Sequence, residues 1–334
     1  MASTIKDVAK MADVSISTVS RVINESKPVS PEAKKRVLHA IEVLDYKPNE
    51  VARSLVTKKS NLIGVIVSDI GSNYVAQILR GVEEIGRMYN YDIILSSSYG
   101  DGQIEVKFAK LLLQKQVEGI IVISDTLNNK LLYKLEESKK PYIVLNRFYN
   151  IDEHYSVGIN NKKATYDMTK YLIEKGHKNI ACLIVRKDFD RTEEKYKVEG
   201  YKKALGENSL KENIIELNGI KENDIENEIE NIVEKIKKEK LSALICSQDE
   251  IAIHVSNYLS DRGINVPKDV SVTAYGGSYI TTIHRPKLTA VKVPYYDIGA
   301  VAIRSILKEI KGESDSENVM LPARILEGQS VKKF

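Results

Sequence analysis

A chain of 334 residues is too long for one small domain and has room for two or three units around a sizeable core. Apolar residues make up 43% of it, with no uninterrupted run long enough to cross a bilayer, and its first residues lack the basic-then-apolar order of a secretory leader. These features predict a cytoplasmic protein without a membrane partner. The net charge of +4 is unevenly placed: residues 1 to 59 hold eleven Lys and Arg against seven Asp and Glu, whereas the remainder holds 39 of each sign. A polyanion such as DNA would be drawn to that first segment.

The first segment carries three short helical patterns. Thr4, with Asp7 three residues on, can cap the first, whose apolar stripe is Ile5, Val8, Ala9 and Ala12. After a turn at Asp13-Val14-Ser15, Ser15 can cap a second helix with Val19, Val22 and Ile23 inward. Ser30-Pro31-Glu32 opens a third, in which Val37, Leu38, Ile41 and Leu44 repeat at helical spacing. Two helices joined by a three-residue turn and braced by a third make a helix-turn-helix. Beyond Tyr46-Lys47-Pro48, Asn49 can cap a stretch ending at Val56, about two turns long and too short to persist without packing.

From Leu62 the texture changes to apolar runs (LIGVIVS, DIILSSS, GIIVIS, YIVLN, IACLIV, ALICS, VSVTAYG) that alternate with amphipathic helices, the pattern of parallel sheets covered by helices. In the helix expected from Tyr74 to about Met88, the residues Ile78, Val82, Ile85 and Tyr89 share a core face, and Met88 lies off it. Residues 211 to 240, rich in Lys, Glu, Asn and Ile, keep helical spacing at Ile225, Ile229, Ile232, Val233 and Ile236 and are read as a surface helix. The order of strands suggests two similar α/β lobes with a ligand cleft between them.

Enzymatic chemistry finds no foothold. Cys182 and Cys246 sit inside apolar runs and read as buried thiols, and the five histidines show no two-ligand spacing on a helix face. No Gly-rich phosphate loop precedes a helix. Neither a metal site, a cofactor nor a catalytic constellation is expected.

The string Ile5-Lys6-Asp7-Val8-Ala9, then Val14-Ser15 and Thr18-Val19-Ser20-Arg21-Val22-Ile23-Asn24, resembles the signature of LacI/GalR regulators, as does Tyr46-Lys47-Pro48-Asn49 leading into Ala52-Arg53-Ser54-Leu55. The likeness continues through Gly64-Val65-Ile66-Val67, Lys175-Gly176-His177, Gly200-Tyr201 and Asp249-Glu250-Ile251-Ala252. Met88 to Ser96, Lys115 to Ile120 and Tyr296 to Arg304 resemble the family's catabolite-control branch in Gram-positive bacteria, which regulates carbohydrate and amylase genes. The resemblance implies an all-α helix-turn-helix DNA-binding domain over 1–48, a hinge helix and linker over 49–60, and a two-lobed core over 61–334. That core would be periplasmic-binding-protein-like and Rossmann-like, with parallel sheets. Its first lobe would span about 61–161 and 292–318, and its second about 162–291 and 319–334.

The same resemblance assigns roles. A homodimer would read a palindromic operator, with Ile16, Ser17 and Arg21 facing base edges and Lys6, Thr18, Ser20 and Asn24 near phosphates. For Arg21 the competing reading is a solvated helix charge. Leu55 and Ala52 would enter the minor groove as a wedge, against the plainer reading of Leu55 as a core leucine. Asp69, Asn146, Lys197, Gln248 and Asp249 are polar groups for the effector cleft or for structure alone. Sugar-responsive relatives carry Arg where Lys197 stands and Asp at the Gly276-Gly277 pair, so tight sugar binding is not expected, although Lys197 could meet the phosphate of a sugar phosphate. On the helix from Tyr296 to Lys311, a polar stripe of Asp297, Ala300, Arg304, Lys308 and Lys311 would dock serine-phosphorylated HPr. Arg304 and Arg324 would clamp the phosphoserine, Asp297 would meet a basic residue, and Glu84, Met88 and Tyr296 would border them; an ordinary solvated face is the alternative. The expected function is a mainly repressing regulator, the runner-up being a repressor released by a small sugar.

Overall fold

The computed structural model describes residues 3–24, 27–47, 59–124, 128–145, 156–186, 193–219, 222–313 and 318–334. Two compact units, Met1–Ser60 and Asn61–Phe334, divide the chain. In the first, helices α1 (Ile5–Met11), α2 (Ile16–Asn24) and α3 (Pro31–Val43) surround a small core of Val8, Ala9, Ala12, Val19, Val22, Val37 and Ala40. The starts follow from local chemistry: the Thr4 backbone N–H and hydroxyl donate to Asp7 Oδ2 at 2.9 and 2.7 Å, and the Ser30 hydroxyl accepts from Ala33 N–H at 3.3 Å. Asp13, at φ 50°, supplies the left-handed residue of the turn between α1 and α2. One expectation fails here: Leu38 is 51% exposed. Its neighbour Val37 points inward, and at about 100° per residue the next position turns outward, so Ala40 completes the inner face instead.

The second unit holds two six-stranded sheets. The first contains β1 (Leu62–Val67), β2 (Asp92–Ser97), β3 (Gly119–Ile123), β4 (Tyr142–Leu145), β5 (Ser156–Ile159) and β11 (Val319–Leu321), in the order β11-β5-β4-β3-β1-β2. The second contains β6 (Ile180–Val185), β7 (Ile214–Leu217), β8 (Ala243–Cys246), β9 (Ser271–Gly276), β10 (Thr289–Lys292) and β12 (Arg324–Leu326), in the order β12-β10-β9-β8-β6-β7. Leaving aside the outermost strand, both lobes wind in the same order. Every pairing is parallel except β10 with β12. The central strands are buried on both faces, which is why their sequences are continuous apolar runs without alternation.

Boundaries depart from expectation in two places. Residues 214–217 form β7 before the helix Glu222–Glu239, so the segment read as one helix is a strand and a helix. The final passage between lobes falls after Leu321 and not near 318, because β11 pairs with β5 of the first sheet.

Helices α4 (Asn73–Met88) and α12 (Tyr295–Ile310) pack on the first sheet and cross at two glycines. A Cβ at Gly81 would stand 2.1 Å from Tyr296 O, and one at Gly299 would stand 2.1 Å from Ile78 O. The second lobe repeats the device where α7 (Asn161–Glu174) meets α8 (Glu194–Glu207): a Cβ at Gly200 would lie 2.1 Å from Lys162 O. Close approach of two backbones, not chain flexibility, requires glycine here. Tyr89 leaves the core face expected for it, lying just past the end of α4 at 47% exposure, with Lys311 Nζ 5.6 Å from its ring centre.

Candidate nucleic-acid interface and interlobe cleft

In the first unit, α2 turns an apolar face inward and a polar face outward. The Ser15 hydroxyl accepts from Thr18 N–H at 3.2 Å and lies 2.7 Å from the Ser17 hydroxyl, fixing the first turn. Ile16 is 45% exposed, and Ser17 and Arg21 are exposed beyond it. Lys6 on α1 is exposed, while Thr18 and Ser20 are half-buried. An exposed isoleucine at the leading end of a helix, followed farther along it by an exposed arginine, suits apolar and bidentate contact with base edges. The Asn24 side chain, Ala52 and Leu55 lie outside the described residues.

Between the lobes of the second unit, the carboxyl ends of both sheets converge on a cavity of ≈ 50 Å³. Ile123, Leu145 and Ile159 reach it from the first sheet, and Ser247, Gln248, Asp249 and Tyr275 from the second. Ends of parallel strands beside a reversal of strand order are where such folds bind ligands. Lys197 lines this cavity but is not an available cation. Its ammonium lies 3.3 Å from Glu193 Oε1 and 3.0 Å from Glu194 Oε1, donates to Ser247 O at 2.9 Å, and stands 4.4 Å from the Tyr275 ring centre. All three charged side chains are almost wholly buried. Burial pushes the Glu194 carboxyl above its ordinary range, against the pull of Lys197. An ammonium so compensated has no charge left for a phosphate, which corrects the expectation for this residue. Glu193 and Glu194 were missed, although their spacing of four and three residues before Lys197 puts them on its helix face.

The other cleft residues separate. Asp69 is exposed in the turn after β1, accepts from Gly71 N–H at 2.8 Å and does not line the cavity, so its place is structural. Gln248 and Asp249 do line it. Asp249 accepts from Gly277 N–H at 3.0 Å and Ser278 N–H at 2.7 Å, and a Cβ at Gly276 would fall 2.8 Å from its Oδ2. Gly276 therefore leaves room for the Asp249 carboxylate. Asn146 lies outside the described residues. Asn73 Nδ2 donates across the cleft to Glu250 Oε1 at 3.3 Å.

Residues 4–49 match the family described as bacterial regulatory proteins, lacI family, and residues 169–331 match a periplasmic binding protein-like domain. The HTH-type transcriptional regulator RegA of Clostridium acetobutylicum is 41% identical over 337 residues, spanning 99% of this chain and 100% of RegA. The chain belongs to the lacI family. Catabolite control protein A of Priestia megaterium is 39% identical over 333 residues, covering 98% of this chain and 99% of that protein. The crystal structure of transcription regulator CcpA of Lactococcus lactis superposes with a TM-score of 0.74 at 30% identity, over 81% of this chain and 99% of that one. This lacI-family chain is a DNA-binding transcriptional regulator of the CcpA and RegA type, and members of its family are regulators and not enzymes. Among its described residues no helix is long and apolar enough to cross a membrane.

One further face of this lacI-family regulator is relevant. Along α4 and α12, Met88 is 74% exposed, and Asp297, Arg304 and Lys308 are exposed; Arg324, on β12 of the second sheet, is exposed as well. Tyr296 Oη donates to Glu84 Oε2 at 2.8 Å, and Arg80 Nε pairs with Glu84 Oε1 at 2.8 Å, tying the two helices together at their surface. Ala300 does not join the expected polar stripe, being buried where α12 crosses α4. Ile303 and Leu307 are buried with Ile298, Ala302 and Ile306.

Proposed function

We propose that this regulator acts in the cytoplasm as a homodimer that reads a palindromic operator through α2 of each copy and mainly represses catabolite-controlled carbohydrate genes. Serine-phosphorylated HPr docks on the α4–α12 face and tightens the grip on DNA. The observation that carries this reading is that Met88, Asp297, Arg304 and Arg324 are each exposed on a chain alike from end to end to catabolite control protein A. Two guanidinium groups suit a phosphoserine, whose charge of about −2 makes strong, directional hydrogen bonds with them. Residues 1–48 would serve as the DNA-reading domain, 49–60 as hinge and 61–334 as core, with Ala52 and Leu55 wedging the minor groove and Lys6, Thr18, Ser20 and Asn24 against phosphates.

A labelled palindromic operator titrated with the full chain tests it. Fluorescence anisotropy should show tighter binding with serine-phosphorylated HPr than with unphosphorylated HPr or none. Equal affinity in the three titrations overturns the partner reading while leaving DNA binding in place. The cavity favours a second reading, a repressor released by a small sugar. Its sugar-phosphate form loses support because Lys197 is already held by Glu193 and Glu194. Calorimetry that finds micromolar sugar binding coupled to operator release would favour that reading.

A further inference from the structure

We infer that Glu118, a buried residue at the start of β3, is a positioning residue for operator binding: it clasps Asn61 and so sets the direction in which the chain enters the hinge. The inference rests on the reading of residues 49–60 as hinge and deepens it by naming what holds the hinge's anchor. Asn61 is the first residue of the core unit and the last before β1, and both of its backbone groups are committed. Its N–H donates to Glu118 Oε1 at 2.7 Å, and its C=O accepts from Asp92 N–H, at the start of β2, at 2.9 Å. The residue stands at φ 53°, a left-handed conformation that asparagine tolerates and β-branched residues avoid. A residue held at both polar groups turns the chain at one fixed angle as it joins residue 60.

The Glu118 side chain is not needed to close the sheet. Its own backbone N–H already donates to Leu62 O at 2.8 Å, continuing the pairing of β1 with β3. Its carboxylate, on a residue only 8% exposed, turns instead to the peptide group that precedes the ladder. Burying a carboxylate costs free energy unless donors meet it. The second oxygen, Oε2, accepts from Tyr91 Oη at 2.9 Å. Tyr91 is itself placed by the turn that ends α4, where its N–H donates to Gly86 O at 2.9 Å and Asn90 is left-handed at φ 59°. Burial, and then the hydrogen bond to Glu118, push the Tyr91 phenol up to about 12, so it stays a donor at neutral pH. The clasp therefore gathers the starts of β1, β2 and β3 around the outgoing chain, at the end of the sheet opposite the interlobe cavity.

Fluorescence anisotropy on the full chain, with the palindromic operator and with a non-operator duplex of equal length, tests the inference. Glu118→Met keeps the length of the side chain and removes both acceptors. It should weaken operator binding by about tenfold, the order expected when one part-buried N–H loses its partner. Non-operator binding, which follows the charge of residues 1–59, should stay as in the wild type. Glu118→Gln can still accept from Asn61 N–H through Oε1 and can donate to Tyr91 Oη through Nε2, so it should retain operator affinity within about twofold. A role in folding alone would lower the melting temperature and leave the ratio of the two affinities unchanged. That result overturns the inference, as does an equal loss with Glu118→Gln. Should Glu118→Met be unfolded at the titration temperature, Asn61→Val takes its place, because a β-branched residue is strained at φ 53° and relieves the strain by turning the exit. An unchanged ratio in that variant is equally fatal. Leu55→Ala is the control for the hinge: operator binding that it leaves intact overturns the hinge reading and the inference with it. A loss with Leu55→Ala and none with Glu118→Met overturns the inference alone.

Discussion

Arg21 and Lys197 show how far a single residue type underdetermines its role. Both are cations on short amphipathic helices, yet Arg21 stands in water on α2 and Lys197 is buried between two carboxylates. Helical period separates inward from outward positions, and it placed Arg21 outside correctly. It could not show that the second lobe closes over Lys197, since burial depends on β8 and β9, some 50 to 80 residues away. If Arg21 makes a bidentate guanine contact, Arg21→Ala should cost about 1 to 3 kcal/mol of operator binding and relax preference at one base step. Unchanged affinity and selectivity in an operator-variant titration would remove it from the base-reading set. For Lys197→Met the effect belongs to stability. Two buried carboxylates lose their shared cation, at a cost of about 3 to 5 kcal/mol, readable as a lower midpoint in urea unfolding. His177 adds a pH dependence. Its ring is buried, with Nε2 3.1 Å from Lys332 O and Nδ1 3.0 Å from the Ser242 hydroxyl, and burial lowers its pKa. Because the folded pKa lies below the unfolded one, the stabilisation is complete above the ordinary histidine range, about pH 6.5, and is lost as pH falls. The difference in unfolding free energy between wild type and His177→Gln should therefore shrink on acidification, and a difference constant from pH 8 to 5 would refute this.

Among elements, the central strands were the most legible, because parallel strands buried on both faces must be continuous apolar runs. Five short strands were not: β5, β7, β10, β11 and β12 have three or four residues each, too few to establish a period, and none holds four apolar residues in a row as the equally short β4 and β8 do. The helix pairs were legible as amphipathic segments, but their contact was not. Nothing in a helical period tells that Gly81 and Gly299 bring two backbones together while Gly206 meets nothing within 4 Å. These glycines should respond oppositely to the same change. Gly299→Ala forces α4 and α12 apart and should cost about 1 to 3 kcal/mol despite the better helix propensity of alanine. Gly206→Ala, with open space around it, should stabilise by up to about 1 kcal/mol. Chemical denaturation of both variants checks the pair, and destabilisation of equal size at both sites would contradict the packing argument.

On the scale of the whole molecule, the resemblance carried most of the site, and charge placement alone pointed to DNA. The phosphoprotein face could not be derived from the pattern of α12, whose exposed Asp297, Arg304 and Lys308 would read equally as a solvated surface. Arg304→Ala separates the two. It should abolish the gain in operator affinity conferred by serine-phosphorylated HPr and leave basal operator binding intact; a retained gain would mean that Arg304 is only solvated. The paired lobes have a mechanical consequence. The chain passes between them three times: after β5, after β10 and after β11, and all of these strands lie at the same edge of their sheets. Such a molecule opens like a book bound along one side, so a small rotation about the spine produces little movement beside it and more toward the fore-edge. Tyr275, bonded to Asn161 just past the first passage, sits by the binding, whereas Asn73 and Glu250 follow β1 and β8 further out across the pages. A slight opening therefore parts Asn73 from Glu250 before it disturbs Tyr275, and the cavity is unlatched from its outer side while its inner wall stays assembled.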